Sequence, residues 1–301
     1  MMSSVHIRCL RAAALVVAVA ATAFSASAKK PPAEWQDPGS QVSPRDLLEG
    51  ADPGAARASP PAGSSSSKVG LPPGVAGSFD GCPQFFPPNF SLKLVPTPRS
   101  WHPGRLRALC FSDFAALYSG QTRTPVMVFE RLTASILMQA QTQERAAAFY
   151  AEARVPSADR ASLEDYAGSG FDRGHMAPSA DFASPEGRAQ SNSLANVVPQ
   201  DPEMNRGPWL QIEKAVRKYA LRRGEAPVWV VTGPVFDPSV PRFIGLNDRV
   251  RVPSQIYKRV IVIYPSPRSW VHLLDNARDS KISPPIEAPK FEAMTGVRFS
   301  Y

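Results

Sequence analysis

Asp172-Arg173-Gly174-His175 sets an acid, a cation and an imidazole on one short run, within Gly168-Ser169-Gly170-Phe171-Asp172-Arg173-Gly174-His175-Met176-Ala177-Pro178. A second run, Asn196-Val197-Val198-Pro199-Gln200, leads on to Asn205, Trp209 and Glu213. These residue types suit metal-assisted cleavage of a phosphodiester. The imidazole of His175 can take a proton from water near neutral pH. Amide and carboxylate oxygens suit a hard ion such as Mg²⁺. A guanidinium can neutralise charge growing on phosphorus. Arg206, beside Asn205, is a candidate for contact with a substrate phosphate.

The two runs resemble the DNA/RNA non-specific endonuclease family, the His-Asn nucleases with a ββα-metal site. The family signature is Asp-Arg-Gly-His, then Asn-x-x-Pro-Gln, then Asn, Trp and Glu. Here 21 residues separate His175 from Asn196, nine separate Asn196 from Asn205, and eight separate Asn205 from Glu213. The strand-like Val228-Trp229-Val230-Val231-Thr232-Gly233-Pro234 follows. The similarity runs from about Leu109 to about Val262.

The resemblance implies an α+β fold, with a central antiparallel-rich sheet, flanking helices and a ββα-metal active site. It implies a metal-dependent endonuclease that hydrolyses DNA and RNA without sequence specificity. His175 would be the general base. Asn205 would be the one protein ligand of Mg²⁺, with waters completing the shell, and Mn²⁺ could substitute. Glu213 would accept from a metal-bound water, Asn196 would position groups beside the His, and Arg173 would belong to the site. A further upstream Arg of the family matches Arg145, in Gln143-Glu144-Arg145.

Each of these residues also has a plainer reading. Asn205 could cap a helix, and Glu213 could be a surface acid near Lys214 and Arg217. Asn196 could be a turn residue, Arg173 could pair with Asp172, and Arg145 could be a surface charge. Two other functions fit the same residues. One is an exported, non-catalytic nucleic-acid-binding protein of the same fold. The other is a phosphodiesterase for small substrates.

The elements around the motifs are readable in outline. Leu106 to Phe114 and Pro125 to Leu132 contain strand-like runs, and Asp113 to Gly120 is read as a turn between them. Ala134 to Ala153 is read as partly helical. Asp165 to Gly170 is a glycine-rich approach that puts Asp172–His175 at a loop-to-strand junction. Ser184-Pro185 predicts a helix start. Trp209, Ile212, Val216, Tyr219 and Ala220 recur at helical spacing, so Pro208 to Arg223 is predicted helical, with Gly224 as its stop. Such a helix sets Asn205 and Glu213 two turns apart on roughly one side. Val228–Val231 and Ile256–Tyr264 are predicted buried strands. Beyond Pro265 the chain reads as Pro-rich and irregular.

The ends bound the domain. Residues 1–28 read as a secretory signal peptide: Arg8 and Arg11, an apolar run from Ala12 to Phe24, and a small-x-small Ala26-Ser27-Ala28. The rival is a mitochondrial transit peptide, since Ser is frequent and no acid precedes Glu34. The unbroken Ala/Val run favours export, into a bacterial periplasm or beyond. No later segment is apolar enough to cross a membrane. Residues 29–80 read as a Pro/Ser-rich disordered extension, and residues 81–301 as the nuclease domain. The net charge of +8 fits a polyanionic partner, and the substrates implied are DNA and RNA. Of three cysteines, Cys9 lies in the signal segment, so Cys82 and Cys110 are candidates for one disulfide.

Overall fold

A computed structural model of the chain describes residues 68–144 and 148–301. The segment read as a signal peptide, most of the extension, and Arg145 lie outside the described residues. The strands in chain order are β1 (Ser91–Leu94), β2 (Leu106–Cys110), β3 (Ala115–Ser119), β4 (Thr124–Leu132), β5 (Asp172–His175), β6 (Val197–Gln200) and β7 (Val228–Val235). Six more follow: β8 (Arg242–Ile244), β9 (Val250–Val252), β10 (Gln255–Val262), β11 (Arg268–Asp275), β12 (Ile286–Glu287) and β13 (Val297–Ser300). The main helices are α1 (Ala134–Ala140), α2 (Pro185–Ser191), α3 (Leu210–Arg222) and α4 (Ala288–Thr295).

Seven strands form one sheet in the order β12-β11-β10-β7-β4-β3-β2. Every neighbouring pair in it is antiparallel. The molecule is therefore α+β, built on an antiparallel sheet with helices against it. The two-residue alternation of strand side chains divides the sheet into two different faces. Met127, Phe129, Val231, Tyr257 and Ile261 point into an apolar core with Phe79, Phe86, Phe90 and Phe291. The opposite face carries Thr232, Lys258 and His272 in one cross-strand row. Helix α3 packs on that second face, with Tyr219 edge-on to Trp270 at 5.0 Å between ring centroids.

Several elements differ from the sequence reading. Ala115–Ser119, expected to be a turn, is a buried strand. Its alternation is invisible because both faces are covered, so every residue in it is buried. The helical stretch after Ala134 ends at Ala140. The chain after Pro265, expected to be irregular, supplies β11, which pairs with β10 over eight residues. The packed chain also begins before residue 81. Phe79 is buried in the main core, Val69, Leu71 and Val75 pack against it, and Ala76 bridges Arg107. Spaced apolar residues thus anchor the last part of a Pro-rich segment.

Cys82 and Cys110 are joined, closing 28 residues of sequence onto the edge strand β2. Closing such a loop restricts the unfolded chain by about 3 kcal/mol. Reduction should therefore lower the melting temperature while leaving β5 and β6 in place. Thiol mapping of the denatured, unreduced chain should find Cys82 and Cys110 unreactive. Labelling of both would contradict the bond.

Candidate active site

β5 and β6 form a separate antiparallel hairpin-like pair, with His175 opposite Val197 and Asp172 opposite Gln200. The chain then runs into α3, so the two sequence motifs become a β-β-α unit. Gly174 is required by close approach: a Cβ there would lie 2.1 Å from Cδ of Gln200. Gln200 is fully buried and its Nε2 donates to the His175 carbonyl at 3.4 Å. The final residue of the second motif therefore lies across the glycine of the first.

Alternation along β5 sends its side chains two ways. Arg173 and His175 both meet Phe149, the guanidinium 4.7 Å and the imidazole 5.2 Å from its ring centroid. The imidazole Nε2 lies 2.9 Å from Oδ1 of Asn192, a buried residue at the end of α2. With that oxygen as acceptor, Nε2 carries the proton and Nδ1 carries the lone pair. Burial lowers the His175 pKa from its ordinary value, and the Asn192 hydrogen bond opposes this only in part. The ring is therefore held neutral, the form that can accept a proton.

Asp172 points elsewhere. Its Oδ2 accepts from Asn205 Nδ2 at 2.9 Å and from Arg206 Nε at 2.9 Å, and its Oδ1 accepts from Arg206 Nη2 at 2.5 Å. Asn205 thus has its amide nitrogen committed and its amide oxygen outside that bond, a hard donor suited to a divalent cation. Arg206, read from sequence as a phosphate contact, has its guanidinium on Asp172. Asp172 and Arg173 do not pair with one another in this arrangement; each has its own partner.

The start of the long helix explains how Asn205 is presented. Asp201 caps a single turn, Pro202–Met204, by accepting from the Glu203 and Met204 amides. Asn205–Trp209 is then a π-helical turn containing Pro208, before α3 proper begins at Leu210. Such wide turns are common at functional sites. The cap is therefore Asp201, and Asn205 lies inside the helical run rather than at its head.

Asn196 is fully buried and tied to main chain. Its Oδ1 accepts from the Ala177 amide at 3.0 Å, and its Nδ2 donates to the carbonyls of Ala177 at 2.8 Å and Ser191 at 2.9 Å. It holds the residues just after His175. Glu213 is also buried, facing Arg217 at 3.7 Å. Burial pushes its pKa up to about 7, with Lys258 and Arg217 pulling the other way and Asp181 adding to the rise. It belongs to the interior ionic group under α3, not to the helix surface.

Phe149 and Asn192 carry no motif and were not anticipated from sequence. Asn192 lies between the two runs, four residues before Asn196, and that nearness to the second run was the one signal in the sequence. Among the described residues no group of three or more His, Cys, Asp or Glu could hold a metal ion.

The sequence matches the model of the DNA/RNA non-specific endonuclease family over residues 100–297. The chain belongs to that family. It is 34% identical to human mitochondrial nuclease EXOG over 165 residues, 51% of this chain and 44% of that protein. It is 32% identical to human mitochondrial endonuclease G over 170 residues, 53% of this chain and 56% of that protein. A chain of the solved EndoG/EndoGI complex superposes with a TM-score of 0.55 at 25% identity, covering 65% of this chain and 86% of that one. The chain thus spans about half the length of the human relatives it matches.

The expectation of export is corrected by these relatives. Vertebrate and yeast proteins similar to this chain are mitochondrial nucleases, which points away from a periplasmic or secreted location. Arginines, serines and an absence of acids are shared by both kinds of targeting segment. The apolar run and the small-x-small Ala26-Ser27-Ala28 are the features that favour export, and the mitochondrial relatives outweigh them. Among the described residues no helix is long and apolar enough to cross a membrane.

Proposed function

We propose that this protein hydrolyses phosphodiester bonds in DNA and RNA without sequence preference, using His175 as general base and one divalent ion on Asn205. The observation that supports it best is the division of labour on β5. At one end Asp172 fixes the amide nitrogen of Asn205; at the other, Asn192 fixes Nε2 of His175. His175 Nδ1 takes a proton from water, the oxygen attacks phosphorus, and the P–O3′ bond breaks in line, giving a 5′-phosphate and a 3′ oxygen that takes a proton from solvent to become a hydroxyl. Asn205 Oδ1 is the residue atom that would hold the ion, Mg²⁺ or Mn²⁺, which when bound supplies positive charge for the phosphoryl and leaving oxygens. Arg173, on the same side of β5 as His175, adds cationic charge near the phosphate. Arg145 is proposed for the second arginine of the family. Glu213, buried two helical turns beyond Asn205, would accept from a water bound to the ion.

Purified protein incubated with plasmid DNA, single-stranded DNA and RNA plus Mg²⁺ should cut all three without discrete preferred sites. Contacts made mainly to phosphates predict binding that weakens steeply with salt. Excess chelator should stop cleavage and added Mn²⁺ should restore it. Full activity in chelator would refute the metal role. Binding without any cleavage would favour the non-catalytic reading, and turnover of small diesters alone would favour the small-substrate phosphodiesterase.

A further inference from the structure

Under α3 the sheet buries an ammonium group that the proposed reaction does not use. Lys258 lies in β10 and is 1% exposed. Its Nζ donates to Thr232 Oγ1 at 2.7 Å and to the main-chain carbonyl of Met176 at 3.3 Å. It stands 3.6 Å from Glu130 Oε1 and 5.6 Å from the centroid of the Trp209 ring. Met176 follows His175 directly. Trp209 ends the π-helical turn that Asn205 begins. One cation therefore contacts the residue after His175 and the ring four residues after Asn205.

The hydrogen bonds after His175 show what Lys258 adds. The β5–β6 ladder ends at His175. Beyond it, Asn196 takes the Met176 amide through its own carbonyl, and the Ala177 amide and carbonyl through its side chain. The Met176 carbonyl is the group left over, and Lys258 takes it. Together the two residues bind both peptide groups that follow the imidazole.

Stability alone is a poor reason to keep such a group. Desolvating an ammonium costs several kcal/mol, and buried ion pairs are often replaced by apolar residues at no net cost. The surrounding charges do not make a tight pair either: Glu130, Glu213, Asp181, Arg217 and His272 all face this space. The acceptors closest to Nζ are a hydroxyl and a peptide carbonyl, both neutral. We propose that Lys258 is a positioning residue, holding the Met176 peptide and the Trp209 ring so that His175 and Asn205 keep their relative placement.

The inference rests on His175 and Asn205 being the reacting pair. It is tested in the full chain with Lys258→Met, Glu130→Gln, and the double variant Lys258→Met with Glu130→Leu. Steady-state cleavage of DNA with Mg²⁺ gives kcat and KM, and circular dichroism gives the melting point. Loss of placement without loss of binding should lower kcat of Lys258→Met by about tenfold or more, with KM within about threefold of wild type. Glu130→Gln, which keeps the shape and leaves the Met176 bond intact, should stay within about threefold of wild-type kcat. The double variant removes the ammonium together with the carboxyl facing it, so it should fold even where Lys258→Met does not. It should remain as slow as Lys258→Met. A double variant, or a folded Lys258→Met, with kcat within about threefold of wild type overturns the proposal. Inactive wild-type protein, or an active His175→Ala variant, would instead overturn the assignment of the site itself.

Discussion

His175→Ala should lower turnover by at least about 10²-fold, the lower end of what general acid–base help contributes. The loss should appear in kcat, since no step of phosphate binding depends on the imidazole. The protein should still fold: the half-buried imidazole packs on Phe149 and bonds to Asn192, so the substitution removes one ring contact and one hydrogen bond. A purified variant that is folded and cleaves at a near-normal rate would remove His175 from the mechanism. The pH profile gives an independent check. Burial lowers the pKa of this imidazole from its ordinary value. The base is active when neutral, so the His175-dependent rise in kcat/KM should have its midpoint below the usual value of about 6.5. Asn192 raises the His175 pKa through its hydrogen bond, so Asn192→Ala should move that midpoint lower still. A midpoint above the usual histidine value would contradict the burial seen here.

Asn205→Ala and Asn196→Ala should fail in different ways. Asn205 meets one side-chain partner, Asp172, and its amide oxygen lies outside that bond. Its removal should abolish cleavage or greatly raise the Mg²⁺ concentration that cleavage needs, with a small change in melting temperature. Asn196 is fully buried, with side-chain bonds to the Ala177 amide and to two carbonyls. Each buried backbone group left without a partner costs about 1–3 kcal/mol, so Asn196→Ala should lose about 3 kcal/mol or more. Where it still folds, its half-saturating Mg²⁺ should stay close to wild type. Metal titration and thermal melting on the same preparations separate the two. An Asn205→Ala variant with an unchanged Mg²⁺ curve would exclude the ligand role.

The two motifs were legible because catalysis restricts residue type. The Asp172–His175 run, the second run and the later Asn and Glu keep their character whatever packs around them. Asp201 and Pro202 fix the helix start locally, through main-chain amides within three residues. The strands β4, β7 and β10 were readable in part as apolar runs. β3 and β11 were not, because a strand covered on both faces, or one bordered by prolines and charges, shows no alternation. Export was the wrong expectation for a different reason: a basic, acid-free N-terminal segment occurs in more than one kind of targeting signal.

What the sequence determined by itself was residue type and interval: an imidazole, two amides, a carboxyl and guanidinium groups at spacings that suit the proposed chemistry. Intervals along a chain do not say which way a side chain points. The fold decided that Asp172 serves Asn205 and Arg206 rather than Arg173, and that Asn192 orients the imidazole. It also decided that Asn196 binds main chain, and that Lys258, 83 residues after His175, reaches the peptide beside it. Those choices come from strands that pair across long stretches of sequence. They depend on register and on the burial of polar groups that must find partners, and neither is encoded in a local run of residues.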